Sequence, residues 1–308
     1  MHFISLADWA RESLEQVIAL AMQIKQRPHQ YAHALDGRVL LMIFQKPSLR
    51  TRVSFEVAML QMGGHALHYE LGSSPWGAGK ETAADTARTA SRYVSAIMAR
   101  LFSRADIREL AEHASVPVIN GLTDFEHPCQ ALGDLLTIME KKGSLAGVKL
   151  AYVGDGNNNV THSLMDGCSK LGVSLCVGCP PSPEYMPAAE VVARATGFAR
   201  SSGARLEIVH DPLVAVEHAD IVYTDTWMSY HIPLEQSQQR YRDLGPFRVN
   251  CALMQHAKPE ALFMHCLPAQ RGVEQTAEVL DGPQSIVFDQ AENRLHIQKA
   301  ILDMLLAR

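Results

Sequence analysis

The chain has 308 residues, of which 47% are hydrophobic and 20% charged, and its net charge is −5. This composition is typical of a globular protein and excludes a disordered, collagen-like or coiled-coil chain, while the charge argues against a basic nucleic-acid-binding protein. Six cysteines are too few for a disulfide scaffold, and no apolar run approaches the roughly 20 residues of a membrane helix.

The N-terminal stretch does not resemble a signal peptide, because Asp8 and Arg11 interrupt any apolar run after Met1. We therefore expect a cytoplasmic protein with neither a nucleic-acid partner nor a membrane partner.

The first half of the chain alternates short apolar runs with helical patterns. The predicted helices run from Ser48 to about Met62, over Ala83–Tyr93 and over Asp106–His113, and the predicted strands are Val39–Phe44, Ala96–Ala99 and Val116–Ile119. In the first helix Val53, Val57 and Leu60 recur at i, i+4 and i+7, which predicts one apolar face.

The second half repeats this alternation after a polar connector at residues 141–144. Helices are predicted over Thr161–Lys170 and about Ala291–Leu306, and strands over Val148–Val153, Ser174–Val177, Arg205–Val209, Ile221–Thr224 and Leu262–His265. Such alternation is typical of parallel sheets with helices on both faces. We expect an α/β fold of two doubly wound parallel-sheet domains, residues 1–144 and 145–290, with the terminal helix 291–308 packing back on the first.

Ligands of open parallel sheets bind at the carboxyl ends of the strands, and an arginine pair stands at one of these ends. Ser48 is a good N-cap, and Arg50 and Arg52 follow it in the first helical turn, where the helix already carries partial positive charge. An anion would offset that repulsion, with hydroxyl donors from Ser48 and Thr51. This favours a phosphate site; the alternative is that both arginines pair with acidic side chains elsewhere.

Other strand ends carry polar side chains whose individual signals are weak. Arg100 follows the strand Ala96–Ala99 and could form a structural salt bridge. His127 and Gln130, three residues apart at a helix start, could point donors at one ligand or could simply cap the helix. Cys266 ends a strand without an adjacent activating base, so a buried core residue is an open alternative to a functional contact.

The segment Gly154-Asp155-Gly156 follows a predicted strand and resembles the start of the GxGxxG dinucleotide-binding fingerprint. Asn159 occupies the third glycine position, and the next strand is not followed by an acid for a ribose, so a nicotinamide-dependent dehydrogenase is disfavoured. Asp225, after another strand, could bind an ammonium group or could be a turn residue. The CxxC spacing at residues 176–179 stands alone and favours core cysteines over a metal site.

Taken together and in this order, the motifs resemble the aspartate/ornithine carbamoyltransferase family over nearly the whole chain, and within it the ornithine branch. The matching segments are Ser48-Leu49-Arg50-Thr51-Arg52-Val53-Ser54-Phe55, His127-Pro128-Cys129-Gln130, Asp225-Thr226-Trp227 with Ser229, His265-Cys266-Leu267-Pro268 and Ala291-Glu292-Asn293-Arg294.

The resemblance implies transfer of a carbamoyl group from carbamoyl phosphate to the side-chain amine of ornithine, giving citrulline and phosphate. It implies a homotrimer with shared active sites and no cofactor or metal, with carbamoyl phosphate held by the first domain and ornithine by the second. The implied catalytic residues are Arg50, Arg100, His127, Asp225 and Cys266. The implied carbamoyl phosphate ligands are Ser48, Leu49, Arg50, Thr51, Trp76, Arg100, His127, Gln130, Cys266, Leu267 and Arg294, and the implied ornithine ligands are Asn159, Asp225, Ser229 and Tyr230.

Two departures from the family pattern bear on the substrate. Ser229 is followed by Tyr230 and His231 instead of the usual Met-Gly, and residues 72–80, with Trp76 and Lys80, replace the usual ornithine-type loop. These departures leave open a related amine, namely putrescine, lysine or an acylated ornithine, and a non-catalytic binding protein is a further alternative. A free α-ammonium group would pair with Asp225, whereas an acylated ornithine lacks that charge, so ornithine is the first expectation.

Overall fold

The computed structural model describes residues 1–229 and 232–307, which form two compact units. Met1–Leu136 and Glu292–Arg308 make up the first unit, and Thr137–Ala291 the second. No helix among the described residues is both long enough and apolar enough to cross a membrane.

The first unit is built on a parallel sheet of four strands in the order β2-β1-β3-β4. These strands are β1 (Val39–Phe44), β2 (His65–Glu70), β3 (Ala96–Arg100) and β4 (Val118–Leu122). The α-helices that begin in this unit are α1 (Arg11–Gln26), α2 (Leu49–Gln61), α3 (Ala83–Ala90), α4 (Arg104–His113) and α5 (Pro128–Lys142), and short 3-10 helices cover Leu6–Asp8, Pro28–Tyr31 and Leu71–Ser73. Strands β3 and β4 are buried throughout, as expected where helices cover both faces of a sheet.

The second unit contains a parallel sheet of five strands in the order β7-β6-β5-β8-β9. Its strands are β5 (Lys149–Val153), β6 (Ser174–Gly178), β7 (Leu206–Val209), β8 (Ile221–Thr224) and β9 (Leu262–His265). The helices are α6 (Asn159–Leu171), α7 (Ala189–Ser202), α8 (Pro212–Val216), α9 (Ser237–Leu244), α10 (Cys251–Met254) and α11 (Ala277–Leu280), with 3-10 turns at Pro183–Tyr185, Leu234–Gln236 and Gly245–Phe247. Helix α12 (Val287–Leu306) starts in this unit and ends in the first.

The α/β prediction with parallel sheets is confirmed, and strands β1, β8 and β9 begin and end where the sequence predicted. Strand β2 was missed because it is an edge strand without one fully buried residue, so no apolar run marks it. Arg100 is the last residue of β3 and does not follow it, because the strand runs one residue further than predicted.

The apolar face predicted for α2 is not the face that packs on the core. The buried residues of this helix are Thr51, Phe55, Ala58 and Met59. Val53 is 46% exposed and Leu60 is 74% exposed, so these side chains point away from the sheet of their own unit. The helix therefore carries apolar residues on two faces, and a periodicity argument cannot tell which of them is covered.

Candidate active site

The start of α2 has the structure of an anion-binding helix terminus. Ser48 has extended backbone geometry and its hydroxyl accepts a hydrogen bond from the backbone N–H of Thr51 at 3.2 Å. Leu49, the first helical residue, points its side chain to solvent. The N–H groups of a first helical turn lack intrahelical acceptors and attract anions. The turn carries no acidic residue to compete with such a ligand.

The two arginines of this turn have different surroundings. Arg52 is exposed and forms an i,i+4 ion pair with Glu56, in which its Nε lies 3.0 Å from Oε1. This is the structural role that the sequence left open for both arginines. Arg50 is half-buried and makes no ion pair within the described part of the chain, so its charge is available to a ligand.

The buried hydroxyl of Thr51 accepts from two arginines that come from distant parts of the sequence. Arg100, at the end of β3, donates through Nη1 at 3.3 Å, and Arg294, on α12, donates through Nη2 at 3.5 Å. Both arginines are buried: Arg100 is 7% exposed and Arg294 is 3% exposed. The first unit thus concentrates positive charge around one hydroxyl at the start of α2, where an anion would compensate it.

The side-chain amide of Gln130, predicted to contact carbamoyl phosphate, has two partners within the first unit, and its contact with the ligand stays a prediction. Its Nε2 donates to Asp134 at 2.7 Å, and its Oε1 accepts from Arg294. Gln130 therefore orients Arg294 in this structure.

His127 immediately precedes α5 and is buried. Burial lowers the pKa of its imidazole well below the usual value, and the charges of Arg294, Arg100, Lys46 and Arg50 lower it further. The ring is therefore neutral at physiological pH and carries one N–H, which can donate a hydrogen bond without adding charge.

Sequence reasoning missed Lys46 as a member of this cluster. The residue is 5% exposed, and its ammonium group lies 4.9 Å from the centre of the Phe102 ring. Burial, and next the charge of Arg100, lower its pKa to about 8. Its position at the carboxyl end of β1 was the signal that could have identified it.

Trp76 is half-buried and packs against a core cluster of the first unit that includes Leu71 and Ala87. Hydrogen bonds within its loop include those from the Gly77 N–H to the Ser74 hydroxyl and from the Lys80 N–H to the Pro75 carbonyl. The part of Trp76 in carbamoyl phosphate binding stays a prediction.

In the second unit the carboxyl ends of β8 and β9 bring Asp225 and Cys266 together. The thiol of Cys266 donates to Asp225 Oδ1 at 3.0 Å, and the Thr226 N–H donates to the same oxygen at 2.8 Å. Burial raises the pKa of the Asp225 carboxyl. A cationic ligand would favour the ionised form, so the site is suited to an ammonium group.

Asp225, His265 and Cys266 also satisfy the spacing of a metal-binding group, since one ligand atom of each lies within 4.8 Å of the others. One ring nitrogen of His265 is already engaged in a hydrogen bond, and the other faces a glutamate. Its Nδ1 accepts from the Leu267 N–H at 2.9 Å, and its Nε2 lies 3.3 Å from Glu274 Oε1. The histidine thereby holds Leu267, whose φ of 59° is unusual for a residue with a side chain.

Two further predicted residues of this unit, Asn159 and Ser229, lie at the start of α6 and in the loop after β8. Asn158 is the N-cap, with Oδ1 accepting from the Thr161 N–H at 2.8 Å, and Asn159 is the first helical residue. Ser229 is half-buried and its carbonyl accepts from the Ile232 N–H. Tyr230, predicted to bind ornithine, lies outside the described residues.

The glycines of the fingerprint-like segment are explained by packing within the unit. Gly154 has a φ of +138°, and a Cβ there would lie 3.4 Å from the Trp227 indole nitrogen. At Gly156 a Cβ would lie 2.7 Å from the Tyr185 carbonyl oxygen, which is a clash. Gly154 is required by its positive φ and Gly156 by the close approach of the Tyr185 carbonyl, so neither is evidence for a dinucleotide.

Comparison with known proteins matches both halves of the chain to one family. The model for the carbamoyl-P binding domain of aspartate/ornithine carbamoyltransferase matches residues 1–140, and that for its Asp/Orn binding domain matches residues 146–305. An ornithine carbamoyltransferase from Pyrococcus abyssi is 51% identical over 308 residues, covering 98% of this chain and 95% of the relative.

Solved structures give the same result. The ornithine carbamoyltransferase from Pyrococcus furiosus has a TM-score of 0.94 and 50% identity, covering 99% of this chain and 96% of that one. An acetylornithine transcarbamylase complexed with acetylcitrulline has a TM-score of 0.90 and 31% identity, covering 99% of each chain. This chain therefore belongs to the aspartate/ornithine carbamoyltransferase family.

Proposed function

We propose that this chain catalyses the transfer of the carbamoyl group of carbamoyl phosphate to the side-chain amine of L-ornithine, giving L-citrulline and phosphate. The observation that carries the proposal is the Thr51 hydroxyl in the first turn of α2, which accepts from the buried Arg100 and Arg294. Arg50 lies in the same turn, and the charges of these arginines and of Lys46 help to keep the buried His127 neutral. The names of the relatives with about 50% identity support ornithine as the acceptor.

The first unit supplies what the phosphate and carbonyl groups of carbamoyl phosphate need. The amine nitrogen forms a bond to the carbonyl carbon, the bond from that carbon to the phosphate oxygen breaks, and the amine gives up a proton. Arg50 and the start of α2 stabilise the departing phosphate, while Arg100, the Thr51 hydroxyl and neutral His127 are donors to the carbonyl oxygen as it gains charge. Carbamoyl phosphate and the amine together supply all the atoms of the two products, so no further reactant is needed.

The second unit supplies a carboxylate for the α-ammonium group of the acceptor. Asp225 is buried and accepts from Cys266 and Thr226, so an added cation would be favoured beside it. Asn159, the first residue of α6, is the proposed ligand of the α-carboxylate. An acylated ornithine lacks the ammonium charge and putrescine lacks the carboxylate, so ornithine satisfies both groups.

In this proposal residues 1–144 with 291–308 form the carbamoyl phosphate domain and residues 145–290 the ornithine domain. The assembly is a homotrimer with shared active sites. The exposed apolar side chains of Leu49, Val53 and Leu60 on α2 support a surface covered by a second copy of the chain. The edge strand β2 also exposes Leu67.

The test is phosphate release from carbamoyl phosphate with a panel of amines: ornithine, lysine, putrescine, N-acetylornithine and aspartate. We expect ornithine to give the highest kcat/KM and citrulline to be the product. A higher kcat/KM with another amine would overturn ornithine as the substrate, and no release with any amine would overturn the reaction itself.

A further inference from the structure

A buried arginine that none of the sequence motifs includes ties together two loops of the second unit. Arg240 lies on α9 and is 7% exposed. Its Nη2 donates to Asp155 Oδ2, and its Nε donates to the backbone carbonyl of Trp227 at 2.7 Å. One guanidinium group is thus hydrogen-bonded to the loop that follows β5 and to the loop that follows β8.

The guanidinium group is itself held in place. Its carbon lies 5.1 Å from the centre of the Tyr185 ring, and the Tyr185 hydroxyl donates to Asp243, three residues further along the chain from Arg240, at 2.9 Å. The planar fork of arginine makes two bonds in fixed directions, which a lysine cannot reproduce. The distance between its two acceptors is therefore set by covalent geometry.

Each of the two tethered loops carries residues proposed to bind the amino-acid substrate. Asp155 Oδ1 accepts from the Asn157 N–H at 2.9 Å, and the Asp155 carbonyl accepts from Asn158 Nδ2 at 2.9 Å, which sets the turn leading to Asn159. Trp227 stands between Asp225 and Ser229 in the second loop. Moving either loop would change the spacing between the carboxylate-binding and ammonium-binding groups.

We infer that Arg240 is a positioning residue for the amino-acid substrate, which sets the spacing of Asn159 and Asp225 through Asp155 and the Trp227 carbonyl. This inference rests on the proposed function. An α-amino acid presents its carboxylate and ammonium groups at a fixed separation, so a rigid tether between the two loops selects for that pair of groups. Carbamoyl phosphate has no such pair and does not depend on the tether.

The test compares the KM for ornithine and the KM for carbamoyl phosphate in the Arg240→Met variant. We expect the KM for ornithine to rise by about tenfold or more, because the groups that bind it are misplaced. The KM for carbamoyl phosphate should stay within about twofold of the wild-type value. The matched control is Arg194→Met, which breaks the ion pair of the half-buried Arg194 with the buried Asp166. That pair joins α7 to α6 and tethers neither of the two loops. We expect that variant to lose stability and keep both KM values.

Two further variants keep the inference testable if Arg240→Met does not fold. Arg240→Lys retains a cation beside Asp155 but cannot bond to both acceptors, so it should fold and raise the KM for ornithine. The double variant Asp155→Asn with Arg240→Met removes the unpaired buried charge, so it should recover stability and keep the raised KM.

An unchanged KM for ornithine in a folded Arg240 variant would overturn the inference, and so would an equal rise in both KM values. Failure of the proposed function has a different signature, because the wild-type protein would then show no turnover with ornithine.

Discussion

Arg294 donates a hydrogen bond to the side-chain oxygen of Gln130, which lies 164 positions earlier in the chain. The same guanidinium group donates to the Thr51 hydroxyl, and the Gln130 amide donates to Asp134. The amide thus stands between a buried cation and a buried anion and orients both. The orientation of the charged Arg294 guanidinium group therefore depends on a neutral side chain.

Replacing Gln130 by leucine should weaken carbamoyl phosphate binding without removing any charge. The variant loses the acceptor of Arg294 and one donor to Asp134, so we expect the free energy of unfolding to fall by about 1–3 kcal/mol and the Kd for carbamoyl phosphate to rise. Urea denaturation and titration calorimetry measure the two effects. Gln61→Leu is the matched control, because Gln61 accepts from Lys299 elsewhere on α12. Equal Kd values for the two variants would contradict this role.

Arg50 and Arg52 allow a direct comparison within one helical turn. Arg50→Ala should abolish detectable binding of carbamoyl phosphate while the fold is retained, since its charge is not engaged by an acidic side chain among the described residues. Arg52→Ala removes only an exposed i,i+4 ion pair worth at most about 0.5 kcal/mol, so its Kd should match that of the wild type. Calorimetry on both variants, with circular dichroism for the fold, is the measurement. Tight binding by Arg50→Ala would exclude the phosphate assignment.

Lys46 should make carbamoyl phosphate binding sensitive to pH. Its pKa of about 8 means that the ammonium form prevails below that pH and the neutral amine above it. A bound anion favours the ammonium form, so the Kd should rise as the pH increases from 8 to 9.5. In Lys46→Met the Kd should be raised at pH 7 and should lose this dependence. Calorimetry between pH 8 and 9.5 measures the Kd of both proteins. If the Kd of Lys46→Met changes with pH as that of the wild type does, another group is responsible for the pH dependence.

The sequence predicted more of the fold than of the contacts within the site. Most strands of both sheets were found because buried parallel strands are apolar runs, whereas the edge strand β2 has no such run. Arg294 entered only through the family resemblance, and its contact with Thr51 joins residues 243 positions apart. Lys46 looks like an ordinary surface lysine in the sequence. Its burial and lowered pKa come from the surrounding tertiary structure, which no local pattern encodes.

The apolar face of α2 that the periodicity predicted to be buried should be buried in the assembly. Val53 and Leu60 are exposed on the face of the helix opposite Phe55 and Ala58, so a second copy of the chain can cover them.

The double variant Val53→Asp with Leu60→Asp places two charges on that face, and each should cost the interface about 2 kcal/mol or more. Light scattering after size exclusion should then report the monomer mass where the wild type gives three times that value. Tyr93→Asp, at a side chain that is 77% exposed and outside α2, should leave the mass unchanged. If the active sites are shared between subunits as proposed, activity should fall together with the trimer. A trimer that survives both charges would place the subunit interface on another surface.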